Sequence, residues 1–199
     1  SLVGADNIFR HTGPARVFTT EGAAIEAIRC GEIRRSDVMV IICGGPAATG
    51  MQETYQVTAA LKHLPDCKEI TVLTDARFSG VSTGACIGHI SPEALAGGPI
   101  GRVRDGDVIE IVIDRNSLQG TLNLVGEGGE RFSAEEGARR LAVRARRNDL
   151  APHPDLPSDT RLWAALIHAS GGVWGGCVYD EQAIVAQLER GAAQPKSHS

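Results

Sequence analysis

The sequence predicts a mixed α and β fold, on three observations. The unbroken apolar run 38–43 is too short for a surface helix and reads as a buried strand, and 70–73 is a second run of that kind. The segments 108–114 and 121–125 alternate with period two around a turn holding Asn116, Ser117 and Gly120, the pattern of an antiparallel hairpin. The segments 19–31 and 52–64 instead place apolar residues at helical spacing. Helices beside an antiparallel pair exclude a purely parallel, doubly wound sheet.

In the first helical segment Ala23, Ala24, Ile25, Ala27 and Ile28 share a face, with Thr20 as N-cap and Gly31 as stop. Gly44-Gly45-Pro46 ends the first strand. The second helix, 52–64, would present Tyr55, Val57, Ala60, Leu61 and Leu64, with Glu53 in its first turn, where the positive end of the helix dipole favours a carboxylate. The strand 70–73 delivers Asp75 through Gly80 to its carboxyl end, a usual place for functional loops. After the hairpin, Ser133 and Glu136 form a capping box for an Arg- and Ala-rich helix expected to run through Arg147 with a largely solvated face. Pro152, Pro154 and Pro157 allow 149–157 neither helix nor central strand, so it is the expected boundary between a core, 1–148, and an extension, 149–199, packing on it. Within the extension, 160–169 and 180–190 read as short helices joined by the glycine-rich 170–176, and 194–199 as a frayed end.

At 199 residues the chain suits one domain with an appendage, burying roughly 70% of its unfolded surface. Its net charge of -4, from 20 basic and 24 acidic residues, gives no field suited to nucleic acid or an anionic membrane, and leaves a small metabolite as the expected ligand. No apolar run reaches the ~20 residues of a membrane span, and Ser1-Leu2-Val3-Gly4-Ala5-Asp6 lacks a basic segment followed by an apolar core, so a cytosolic chain is expected. The five cysteines form no C-x-x-C pair and are odd in number, which argues against a disulfide framework or a self-contained zinc site; most are expected to be buried, reduced thiols.

The richest segment is 74–100, TDARFSGVSTGACIGHISPEALAGGPI, a polar loop laced with glycine directly after a strand, where the backbone can approach a ligand and offer N–H donors. This segment resembles the signature of the dihydroxy-acid and 6-phosphogluconate dehydratase family, roughly D-G-R-F-S-G-G-T, then G-H-x-S-P-E-A and G-G-P-I. Further blocks resemble the same family in the same order: Gly13-Pro14-Ala15-Arg16-Val17-Phe18, Gly45-Pro46 with Gly50-Met51-Gln52-Glu53, and Asp105-Gly106-Asp107-Val108-Ile109. The remainder, with Leu162-Trp163 and Ser170-Gly171-Gly172-Val173-Trp174, resembles the sugar-acid branch, xylonate dehydratases in particular.

The resemblance implies the swivelling β/β/α domain, a β-barrel-like core flanked by helices, standing at the C-terminal end of a larger polypeptide. It also implies removal of water from an aldonate to give a 2-keto-3-deoxy acid, with an iron–sulfur cluster (2Fe-2S or 4Fe-4S), Mg2+ and a serine base. The cluster's cysteines and the other acidic metal ligands are expected on an N-terminal dehydratase domain outside this chain, in a homo-oligomer. Carried over by motif position, Ser79 is the base and Glu53 a magnesium ligand. A hydroxyl becomes a base only where cations and N–H dipoles lower its pKa, for which the backbone from Gly80 onward and a helix start near Thr83 are candidates. Taken without the resemblance, the favoured reading of Ser79 is structural, closing a turn or capping a helix.

Arg77 has two readings, a bidentate clamp on a substrate carboxylate or a partner for Asp75 that holds the loop. Thr83 donates to substrate or caps a helix, and Gly80 offers its N–H to substrate. His89 reads as a buried residue bonded to backbone, with general base as the rival role. Ala76 and Val81 replace family glycines, and Tyr55 departs from the E-M-L of the amino-acid pathway enzymes, which favours the sugar-acid branch over dihydroxyacid dehydratase of branched-chain synthesis. Two further alternatives are a stand-alone binding module of the same fold and a serine hydrolase, the latter lacking a G-x-S-x-G elbow.

Overall fold

The computed structural model describes residues 3–193; the end expected to fray, 194–199, lies outside the described residues. Strand β1 (Ile8–Phe18) is the seam of a seven-stranded mixed sheet. Its residues 8–14 pair antiparallel with β7 (Val108–Asp114), and its residues 15–18 pair parallel with β2 (Val38–Ile41). The change falls at Gly13-Pro14. Proline has no N–H to give a ladder, and a methyl at Gly13 would overlap the Ser36 carbonyl oxygen.

The parallel half continues through β4 (Thr71–Thr74) to the edge strand β6 (Ala85–Ile87). The antiparallel half continues through β8 (Gln119–Glu127) to the short edge strand β9 (Glu130–Arg131). The predicted hairpin is thus β7 and β8, and its turn is set by the Asp114 carboxylate, which accepts from Asn116 N at 2.8 Å. Both halves face one apolar core, in which Val38, Val40 and Leu73 meet Ile109, Ile111 and Leu124. Met39, Ile41 and Val72 point the other way, onto helices α1 (Glu21–Arg29) and α3 (Gln56–Leu61), between which the chain makes a one-turn α2 (Pro46–Thr49). Alternate residues of β2 thereby fill two cores, which is why the run is apolar throughout.

Helix α1 starts as expected, with Thr20 Oγ1 accepting from Ala23 N at 3.1 Å, and stops at Gly31, whose φ is +71°. The helix expected over 52–64 is shorter. Glu53–Thr54 forms β3, paired parallel with β5 (Arg77–Phe78), and α3 begins only at Gln56. Glu53 therefore stands in a strand and not in a helical first turn; its pairing with a loop 24 residues on overrides local periodicity. The amide at the start of α3, Val57 N, is capped instead by Glu21 Oε1 at 2.9 Å.

Helix α4 (Ala134–Val143) has half of the expected capping box. Ser133 Oγ accepts from Glu136 N, but the Glu136 carboxylate is taken by Arg139 and Arg140. It ends before Arg147 because Arg144 leaves helical geometry, with ψ at 134°, to reach the core. There its guanidinium lies 2.5 Å from Asp107 Oδ2 and donates to Arg102 O. Gly137 on α4 touches β8, and a methyl there would overlap the Leu124 carbonyl oxygen. Gly→Ala in an exposed helix stabilises by about 1 kcal/mol. Here the sign reverses: Gly137→Ala should cost about 1–3 kcal/mol by overpacking, read as a lowered midpoint in urea unfolding.

The extension contributes α5 (Ser158–Ala169) and α6 (Glu181–Ala193), joined through the glycine-rich turn. Residues 149–157 form neither helix nor strand, yet they lie against α2, with His153 N donating to Ala48 O at 2.8 Å and Leu156 buried. The cysteines correct an expectation: all five are free thiols, but only Cys43 is buried, Cys67 and Cys86 are half-buried, and Cys30 and Cys177 are exposed. No helix among the described residues is long and apolar enough to cross a membrane.

Candidate active site at the carboxyl edge of the parallel strands

Strands β1, β2, β4 and β6 run parallel, so the loops that leave them gather along one edge, the usual position of a site in such sheets. The loop after β2 carries α2 and then Glu53. The loop after β4 carries Asp75, Arg77 and Ser79. The β3–β5 pairing sets Glu53 directly beside Arg77, with Arg77 Nη1 3.0 Å from Glu53 Oε1 and Arg77 Nε donating to Met51 O at 2.9 Å. The expected Arg77–Asp75 pair does not form. Arg77 is the partner of Glu53, and Asp75 points inward. Both side chains of the Glu53–Arg77 pair are more than two-fifths exposed, so the pair is worth at most about 1 kcal/mol and the carboxylate is easily drawn to another cation.

Ser79 is half-buried, one residue past Phe78 of β5. Its Oγ accepts a long bond from Val81 N, 3.5 Å, and its carbonyl accepts from Ser82 N at 3.0 Å, so a tight turn holds the hydroxyl at the edge. Gly80, the next residue, and Thr83, further along the same loop, are exposed. No helix starts near Thr83; the chain passes into β6, and the helix dipole expected to assist Ser79 is absent among the described residues. His89 is exposed with φ at +56° and is not the buried residue expected, although its backbone N–H does bond, to Ala76 O.

Glu53 lines a cavity of about 430 Å³ together with Thr20, Cys43, Gly44, Asp149 and His153. Its far wall is the proline-rich segment, read from the sequence only as a boundary. Asp149 is held by Arg147 at 2.6 Å, which keeps its carboxyl below the usual range. Cys43, at the end of β2, adopts φ +64°, and burial pushes its thiol up.

Two buried carboxylates stand in the 74–100 motif: Asp75, expected only as a partner for Arg77, and Glu93, which sequence reasoning did not single out. Asp75 accepts from Gly44 N and Ala94 N, each at 2.9 Å; burial raises its pKa against the pull of those amides. Glu93 accepts from Ala47 N at 2.9 Å, and burial with the nearby Asp75 charge pushes it up to about 7.

As a metal centre the chain fits in part. Glu53 offers an exposed hard-oxygen donor of the kind magnesium takes, but no group of three or more His, Cys, Asp or Glu side chains able to hold an ion exists among the described residues. The dispersed free thiols do not fit an iron–sulfur cluster, which needs a set of converging thiolates.

The comparisons with known proteins agree with this geometry. The family model described as dihydroxy-acid/6-phosphogluconate dehydratase C-terminal matches residues 2–156. The chain is 56% identical over 191 residues to D-xylonate dehydratase YagF of Escherichia coli, covering 96% of this chain and 29% of that protein. It is 52% identical over 190 residues to D-xylonate dehydratase YjhG of the same organism, covering 94% and 29%. A dihydroxy-acid dehydratase of Acetivibrio thermocellus is 50% identical over 115 residues, covering 57% of this chain and 21% of that one. The chain thus spans less than a third of the length of these curated relatives. A mixed α and β sheet that gathers the dehydratase motif at one edge, and a family match over residues 2–156, place this chain in the dihydroxy-acid/6-phosphogluconate dehydratase family, as a C-terminal segment.

Proposed function

We propose that this chain is the C-terminal domain of a sugar-acid dehydratase that converts an aldonate such as D-xylonate to its 2-keto-3-deoxy acid, and that it contributes the base. The observation that carries this is the extent of likeness: the two D-xylonate dehydratases match 96% and 94% of the chain, whereas the dihydroxy-acid dehydratase of A. thermocellus matches 57%. In the same proposal the domain is of the swivelling β/β/α type, with 1–148 as its core and 149–199 as the packed extension, in a cytosolic homo-oligomer.

In the reaction, Ser79 Oγ takes the proton from C2, hydroxide leaves C3, and the resulting enol becomes the keto acid. Glu53 would be one ligand for a magnesium ion, which when bound would supply positive charge that favours ionisation at C2, and Arg77 holds the Glu53 carboxylate in the meantime. In this reading the Gly80 N–H and the Thr83 hydroxyl, from exposed residues of the same loop as Ser79, donate to substrate oxygens. Since the thiols here do not converge, the cluster's ligands belong to the N-terminal domain, and no step is assigned to it.

The surroundings of Ser79 favour a domain-facing surface over a stand-alone binding module. Val81 is 71% and Tyr55 44% exposed, large apolar side chains near the catalytic loop. The test compares the full-length polypeptide with the 199-residue chain alone. Aldonate dehydration, followed as 2-keto acid, is expected from the first and not from the second. Turnover by the short chain overturns the division of labour, and a full-length enzyme inert toward every aldonate overturns the proposal.

A further inference from the structure

Three loops meet behind the site, joined by two carboxylates that have no cationic partner among the described residues. Asp75, from the loop that carries Ser79, accepts from Gly44 N in the loop that carries Glu53, and from Ala94 N next to Glu93. Glu93 in turn accepts from Ala47 N through both oxygens, at 2.9 and 3.2 Å, and so ties down α2. From α2 the chain is tight all the way to Glu53: Thr49 Oγ1 donates to Gly44 O and accepts from Gln52 N, Gly50 has φ +72°, and Met51 O accepts from Arg77. The fit is close on the other side as well, since a methyl at Gly45 would overlap a Glu93 carboxylate oxygen.

The charged groups that face Glu93 are few. Asp75 repels it, while Arg161 and His168 of α5 line the adjoining cavity of about 350 Å³ without a hydrogen bond or ion pair to it among the described residues. A carboxylate is an expensive way to fill a protein interior when a leucine would do. Its retention here is explained by the amides it fixes.

We infer that Glu93 is a positioning residue: with Asp75 it clasps the loop 44–53 to the Ser79 loop, and so sets the place of Glu53 relative to Ser79. The inference rests on the proposed roles of those two residues, while the clasp itself can be read independently of turnover.

The experiment uses the full-length enzyme with Glu93→Gln, Glu93→Ala and Gly45→Ala. Gln keeps an oxygen for Ala47 N; Ala removes it; and Gly45→Ala displaces the carboxylate without altering Glu93. In Glu93→Ala and Gly45→Ala, amide exchange over 44–53 should quicken while the β7–β8 amides keep their protection, and the Mn2+ dissociation constant should rise about 10-fold or more. The same two variants should lose kcat by about 10- to 100-fold with KM for aldonate little changed, and Glu93→Gln should recover most of both losses. Wild-type exchange and Mn2+ binding in both Ala variants overturn the inference, as does a loss of protection spread through β7–β8, which marks a merely structural role. A wild-type enzyme that dehydrates no aldonate overturns the proposed function alone, since exchange and Mn2+ binding still report on the clasp.

Discussion

Ser79→Ala in the full-length enzyme should lower the rate of aldonate dehydration by at least about 10²–10⁴-fold, the range typical of removing a positioned base, and leave the melting temperature unchanged. The second half of that expectation comes from the local geometry. The Ser79 hydroxyl is only half-buried and accepts a single long bond of 3.5 Å from Val81 N, so its loss should cost the fold no more than about 0.5 kcal/mol. A residue whose work was to close this turn would show the reverse pattern, with modest loss of both stability and rate. Kinetics, thermal unfolding and the visible absorption of the variant settle the matter together. Turnover like that of wild type removes serine as the base.

The largest effect on stability is expected at Asp107. This side chain is 3% exposed and Arg144 7%, and their contact is close to bidentate at 2.5 and 3.2 Å. Asp107 also accepts from Arg104 N, and Arg144 also reaches Glu127 at 3.0 Å and the carbonyl of Arg102. Burial alone would lower the pKa of Arg144; the carboxylates more than offset it and hold the guanidinium above its ordinary value. Asp107→Ala leaves that buried charge with only the more exposed Glu127 to balance it and should cost about 3–5 kcal/mol, a drop of order 10 °C in melting temperature for a domain of this size. The pair itself is another matter. Asp107→Leu with Arg144→Met removes both charges and should cost clearly less than Asp107→Ala alone. Equal losses in the two proteins, measured by thermal unfolding, would show that the stranded charge is not the cause.

Elements whose signals are local were legible in the sequence. Thr20 caps α1 through an amide three residues on, and the β7–β8 hairpin follows from alternation and an Asp-Arg-Asn-Ser turn. What the sequence concealed depends on distant partners. The apolar spacing from Tyr55 to Leu64 extended a helical pattern back over Glu53, but the strand that claims Glu53 lies at Arg77 and Phe78. Arg144 looked like one more charge on a solvated face, and Asp107, 37 residues away, buried it. Glu93, and the amide-binding role of Asp75, which had been read as a partner for Arg77, stayed hidden for a different reason. Their partners are backbone amides, which every loop possesses, so no residue type elsewhere in the chain announces them. The motif blocks were readable in order, yet only the fold shows that Glu53 and Arg77 are neighbours and that 149–154 walls the cavity.

Because β1 belongs to both halves of the sheet, the polypeptide cannot complete its architecture from neighbouring stretches. The Ile8–Asp114 pairing closes a loop of over a hundred residues, and the entropy of that closure is lost before any contact repays it. The parallel half faces a milder form of the same demand, since Ala15 must find Val38. Such topology places folding on the millisecond-to-second side of the usual range and leaves residues 8–14 of β1 unpaired, during synthesis, until β7 emerges. The geometry that gathers the dehydratase loops at one edge therefore carries a kinetic consequence: β2, β4 and β6 can align on β1 early, but the core beneath them is sealed only when β7 and β8 arrive.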